Sequence, residues 1–105
     1  MKPSPGGPTL ADLRARREEI FRIAAVHGAT NIRVFGSVAR GDAQSDSDID
    51  LLVDIVADAK GFAYFGLIED LQHALTEALG SDVDIVDSAA LRRMRERVLE
   101  EVVPL

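Results

Sequence analysis

The sequence predicts a small α/β (α+β) sandwich, a mixed sheet of about three strands flanked by helices in the order α-β-β-α-β-α. Three observations carry that expectation. Residues 10–27 and 62–79 place apolar side chains at helical spacing. Three short β-favouring runs, residues 32–35, 49–53 and 83–86, alternate with them. A length of 105 residues leaves room for one domain and one core.

Each element can be justified in turn. Residues 1–8 hold Pro3, Pro5, Gly6, Gly7 and Pro8, a density that supports neither helix nor strand, so they read as a flexible tail before a domain of residues 9–105. Thr9 is placed to cap a first helix, with Asp12 three residues on. Leu13, Ile20, Ile23 and Ala24 form its apolar stripe and Gly28 stops it. Residues 32–35 make a first strand, ended by Gly36. Residues 49–53 read I-D-L-L-V, apolar on both faces, as a buried central strand does. In residues 62–79 the stripe runs through Phe65, Ile68, Leu71, Leu75 and Leu79, and Gly80 closes the helix. Residues 83–86 form a third strand. Ser88 then caps a last helix carrying Leu91, Met94, Val98 and Val102, stopped near Pro104.

Composition removes whole classes of function. Cysteine is absent, which excludes disulfide scaffolds, thiol chemistry and Cys-ligated zinc. No apolar run approaches the roughly 18 residues that span a bilayer, and no signal-peptide stretch follows Met1, so the expectation is a soluble cytoplasmic protein with no membrane partner. The formal net charge of −6 argues against a protein held on duplex nucleic acid by phosphate contacts. The charge is also segregated: from Asp42 to Asp87 twelve carboxylates face Lys60 alone, while the flanks are basic. Much of that is an acidic solvated face.

A few of these acids differ. Asp48 and Asp50 stand two apart at the head of an apolar strand, so their side chains leave one face. Two such carboxylates roughly 6 Å apart repel by roughly 3 kcal/mol at an effective dielectric of about 20. A fold that sets the pair beside its core calls for a cation. Magnesium, bound through one or two carboxylates plus substrate phosphates, fits that need. Asp84 is a third carboxylate embedded between β-branched residues, one strand-helix-strand excursion later. If the two strands pair, Asp84 joins Asp48 and Asp50 around one or two metals, the arrangement used for nucleotidyl transfer. Asp82 lies at the strand end and reads as solvated. Gly36 and Ser37 end the first strand and open a turn into a short helix; Gly36 lets a phosphate approach the backbone, Ser37 can donate to it, and Arg40 adds positive charge.

The pattern G-S-x10-D-x-D with a later carboxylate strand resembles the DNA polymerase β-type nucleotidyltransferase superfamily. Within it, V-F-G-S-V-A-R-G, S-D-S-D-I-D-L-L-V and V-D-I-V-D are similar to the minimal nucleotidyltransferase (MNT) family. The resemblance runs over nearly all of residues 10–104. It implies a polymerase β-like fold, ATP held by Gly36 and Ser37, Mg2+ at Asp48 and Asp50, and Asp84 as the carboxylate that activates an acceptor hydroxyl. It further implies an antitoxin that moves AMP from ATP to a tyrosine of a HEPN-domain ribonuclease toxin.

Other motifs fail on inspection. Asp46-x-Asp48-x-Asp50 begins like an EF-hand, but Leu51 stands where Gly is required and Ala57 where Glu is required. Gly36-x4-Gly41 begins like a P-loop, but Asp42-Ala43 replaces Lys-Ser/Thr. His27 and His73 lack metal-ligand spacing, and Ser37 lacks the surroundings of a hydrolase nucleophile. Arg92, Arg93, Arg95 and Arg97 spread around a helix without aromatic partners, as a solvated face or a surface for an acidic partner does. Two alternatives to protein adenylylation stay open: nucleotidyl transfer to a small molecule such as an aminoglycoside, and a non-catalytic antitoxin that masks its partner by binding.

Overall fold

In the computed structural model, residues 7–56, 61–92 and 102–105 are described. The elements are α1 (Leu10–Ala15), α2 (Arg17–Val26), β1 (Ala29–Phe35), α3 (Gly36–Arg40), β2 (Ile49–Ile55), α4 (Phe62–Leu79), β3 (Val83–Asp87), α5 (Ser88–Arg92) and β4 (Val103–Pro104). They form one mixed sheet in the order β3-β2-β1-β4, with β2 parallel to β3 and β1 antiparallel to both β2 and β4.

The core lies where α2 and α4 cover one face of the sheet. Ile49, Leu51 and Val53 of β2 point into it with Val34, Val83 and Ile85, against Ile20, Ala24, Leu71 and Leu75 of the helices. Leu52 is also fully buried, and by strand alternation it belongs to the opposite face. The reading of β2 as a central strand covered on both sides therefore holds. Among the described residues no helix is long and apolar enough to cross a membrane.

Four local expectations are corrected. The first helix is two helices, because Arg16 leaves helical geometry (φ −112°, ψ 20°) and pairs its guanidinium with Glu19 at 2.7 Å. Leu13 and Ile20 are both buried across the break, so the apolar stripe stays in phase and periodicity cannot reveal it. Thr9 does cap α1, in a reciprocal box with Asp12. Phe65 does not join the core stripe of α4: it is 68% exposed, on the first turns of the helix, ahead of the buried Leu71 and Leu75. The third change is at α5, where Asp87 takes the capping role by accepting the Ala89 N–H at 3.0 Å. The Ser88 hydroxyl is committed instead to Asp54. Finally, Val103 and Pro104 form a fourth strand beside β1 rather than a helix end, and Leu105 behind them is buried in the core. Met94, Val98 and the basic residues Arg93, Arg95 and Arg97 lie outside the described residues.

Candidate active site

Register builds the site. Phe35, the last residue of β1, is the cross-strand partner of Asp50, and Asp50 is the partner of Asp84 across the parallel β2–β3 ladder. Cross-strand partners share a face, so Asp50 and Asp84 leave the sheet side by side. Asp48, expected on the strand beside Asp50, sits instead on the loop just before β2, exposed, because the strand begins only at the buried Ile49. Directly after Phe35 the chain turns at Gly36 with φ 75°, a left-handed conformation that glycine adopts without strain. A Cβ at Gly36 would stand 2.3 Å from Asp50 Oδ2. Glycine is thus required twice, once for the backbone and once to leave room for the carboxylate.

Helix α3 follows, pinned by the buried Val38 and ended by Gly41 at φ 88°. Ser37 stands half-buried in its first turn, and its carbonyl accepts the Gly41 and Asp42 N–H groups at 2.9 and 3.0 Å. Arg40 projects from the far end of α3 and pairs with Asp42, Nε to Oδ2 at 3.2 Å.

The electrostatics single out Asp50. Burial is the largest influence and pushes its carboxyl above the ordinary range; the charges of Asp84 and then Asp48 push the same way, and Arg40 opposes them. The expected members Gly36, Asp48, Asp50, Asp84 and Arg40 therefore act on one spot at the edge where β1 ends and β2 begins, with Ser37 next to Gly36 in the chain. Asp82 is exposed ahead of β3, as expected, and its carbonyl accepts the Ile49 N–H at 2.8 Å. His27 is turned onto the Ile23 carbonyl at 2.9 Å.

The donor set suits a hard divalent cation. All three acids offer oxygen, two of them crowd a third whose ionisation is disfavoured, and a side chain at Gly36 would block the approach. Among the described residues no three acidic, imidazole or thiol side chains already enclose a common point. Magnesium does not ask for that, because it is held through one or two carboxylates with phosphate and water oxygens completing its shell.

A second polar network occupies the other end of the same strand, and sequence reasoning passed over it. Asp54 accepts from Asn31 at 2.9 Å, from Arg33 at 2.7 Å and from the Ser88 hydroxyl. Those bonds, led by the one from Ser88, hold its carboxyl below the ordinary range. Nearby, the Tyr64 hydroxyl donates to Asp87 at 2.5 Å, and burial followed by that bond raises the phenol to about 12. The i+4 spacing from Asp50 signals that Asp54 shares its face; its partners become visible only once β1 is paired with β2.

Comparison with known proteins agrees with this fold. A family model for polymerase beta nucleotidyltransferases matches residues 18–104. The chain belongs to that family. As a nucleotidyltransferase, it is 38% identical over 95 residues to protein adenylyltransferase MntA of Thermococcus cleftensis, covering 82% of this chain and 92% of that protein. It is 32% identical over 88 residues to a Methanocaldococcus jannaschii protein that also carries a protein adenylyltransferase name, covering 83% and 90%. Among solved structures, a minimal nucleotidyltransferase matches with a TM-score of 0.74 and 46% identity, over 93% of this chain and 97% of the other. A toxin–antitoxin complex with AMP-PNP matches with a TM-score of 0.65 and 27% identity, over 83% and 69% of the two chains.

Proposed function

We propose that this nucleotidyltransferase, working in the cytoplasm as an antitoxin, transfers AMP from ATP to a hydroxyl of a toxin protein and so silences it. The acceptor we favour is a tyrosine of a HEPN-domain ribonuclease. The observation that carries the reading is the cross-strand pair Asp50–Asp84 with Gly36 closed against Asp50. The MntA relative and the AMP-PNP-bound toxin–antitoxin neighbour support the nucleotide and the kind of partner.

In this reading Gly36 leaves the triphosphate a path to the backbone, the Ser37 hydroxyl donates to its oxygens, and Arg40 adds positive charge nearby. Asp48, Asp50 and Asp84 would hold Mg2+, which supplies charge neutralisation for the α-phosphate and the departing pyrophosphate. Asp84, exposed on β3 beside Asp50, faces the acceptor and takes the hydroxyl proton in a hydrogen bond. The acceptor oxygen then bonds to the α-phosphorus as the bond to pyrophosphate breaks.

The test is a mass measurement. The protein is incubated with ATP, Mg2+ and the toxin encoded beside it, and the toxin is weighed intact. AMP-sized additions that vanish with Asp84→Ala support the reading. Full inhibition of the toxin without a mass change, retained in Asp48→Asn, overturns transfer in favour of masking by binding.

A further inference from the structure

The loop joining α3 to β2, residues 41–48, delivers Asp48, and the chain ahead of α1 holds it in place. The Gly7 N–H donates to the Ala43 carbonyl at 3.0 Å. A Cβ at Gly7 would lie 1.9 Å from the Gln44 carbonyl oxygen and 2.6 Å from its carbon. Both obstacles are backbone, so no change of rotamer relieves them. Gly7 is not among the glycines in the left-handed region, so the collision alone keeps a side chain out.

The carbonyl that Gly7 abuts also has a task. Gln44 O accepts the Ser47 N–H at 2.9 Å, and the Gln44 N–H donates to Ser47 Oγ at 2.8 Å. These two bonds lock a tight turn whose next residue is Asp48. Beyond it, the Ile49 N–H is fixed to Asp82 at the start of the sheet. Any displacement of Gln44 therefore passes through the turn to Asp48, with the sheet as its fixed end. An open groove of about 880 Å3 lies against this strap of chain, between Gly7, Pro8, Thr9 and Leu13 and the residues Ser45, Ile49 and Ser81. The strap borders open space rather than filling the core, which makes a purely structural reason for the close approach weak.

We propose that Gly7 is a positioning residue for nucleotidyl transfer, clamping the Ala43–Gln44 backbone so that the turn presents Asp48 to the metal-bound nucleotide. The inference rests on the reading of Asp48 given under the proposed function. Wild type, Gly7→Ala and Gly66→Ala, each as the 105-residue chain, are titrated with AMP-PNP by calorimetry, with Mg2+ and with chelator. Gly66 lies in α4 with open space around the position of a Cβ, so Gly66→Ala should bind as wild type does. Gly7→Ala should weaken the Mg2+-dependent binding by about tenfold to a hundredfold, the range for loss of a partner that orients a metal-binding side chain. A folded Gly7→Ala that keeps wild-type affinity and only melts earlier overturns the inference while leaving the metal reading standing. Wild type that binds equally with chelator overturns both. Should Gly7→Ala fail to fold, hydrogen exchange of the wild type decides: the Gly7 amide should be protected and slow further when Mg2+ and AMP-PNP are added. Exchange that does not respond to them overturns the clamp.

Discussion

Asp50 and Asp54 lie four residues apart on β2 and on one face of the sheet, yet their surroundings push them in opposite directions. Around Asp50, burial and the charges of Asp84 and Asp48 all disfavour ionisation, and Arg40 opposes them. Around Asp54, hydrogen bonds from Ser88, Asn31 and Arg33 favour the charged form and outweigh its burial. One end of the strand is electrostatically complete and ties β1, β2 and the start of α5 together. The other carries like charges that the protein alone does not balance, a condition a fold tolerates where a ligand completes the set. The difference teaches how to tell scaffold from site when both are made of the same residue on the same strand.

The largest expected effect breaks the comparison at its functional end. Asp50→Asn should lower AMP transfer by about 10²–10³-fold, as removal of one preorganised electrostatic contact does. In chelator its melting temperature should match or exceed wild type, because one member of a repelling cluster is neutralised. A marked loss of stability without metal would instead place Asp50 with Asp54 as scaffold. Next in size is Gly36→Ala. It forces a left-handed alanine, costing about 1–2 kcal/mol, and sets a methyl against Asp50 Oδ2. Mg2+-dependent ATP binding should fall by up to about 10²-fold, measured by calorimetry on the folded variant.

The end of β2 proposed as the site was far more legible in the sequence than the network around Asp54. Asp50 and Asp84 stand out because an acid inside an apolar strand is conspicuous without knowing any partner, and Asp48 stands one residue ahead of the strand that carries Asp50. The short helix that opens at Gly36 and the end of α4 at Gly80 followed from glycines at the turns. What stayed hidden depends on contacts distant in sequence. Asn31 and Arg33 meet Asp54 only through the β1–β2 register, which carries a bulge between Thr30 and Arg33 and a left-handed Asn31 at φ 55°. The strand at Val103–Pro104 exists because the open edge of β1 accepts it; its local sequence looked like a helix end. The clamp at Gly7 was invisible for the same reason, since nothing near Gly7 in the chain points to Gln44.

Breaking the structural end should cost less, and only in stability. Asp54→Ala removes three hydrogen bonds from a carboxylate that is 39% exposed, so solvent screening discounts them to about 1–2 kcal/mol in all. That corresponds to roughly 4–16 °C in melting temperature for a domain of this size. Mg2+-dependent ATP binding by the protein that remains folded should be unchanged. Weakened binding at constant stability would mean the two ends of β2 are coupled.

The smallest effect is the most discriminating, because it asks both residues the same question with opposite signs. The Asp50 carboxyl is raised above its ordinary 3.8. Its protonated form favours folding, so that contribution is fully present below pH 3.8 and is lost as pH rises through the raised value. The Asp54 carboxyl is lowered from 3.8. Its contribution is present above pH 3.8 and is lost as pH falls through the lowered value. In chelator, the stability of Asp50→Asn relative to wild type should therefore grow as pH climbs above 3.8 and then level off. The deficit of Asp54→Ala should hold constant across neutral pH and shrink only below pH 3.8. Adding Mg2+ and ATP should reverse the first trend, since a ligated carboxylate must be ionised and binding then stabilises the wild type alone. Melting curves at several pH values, with chelator and with Mg2+ and ATP, give all four slopes. An Asp50→Asn difference that ignores both pH and Mg2+ would remove the electrostatic distinction between the two ends and return Asp50 to the scaffold.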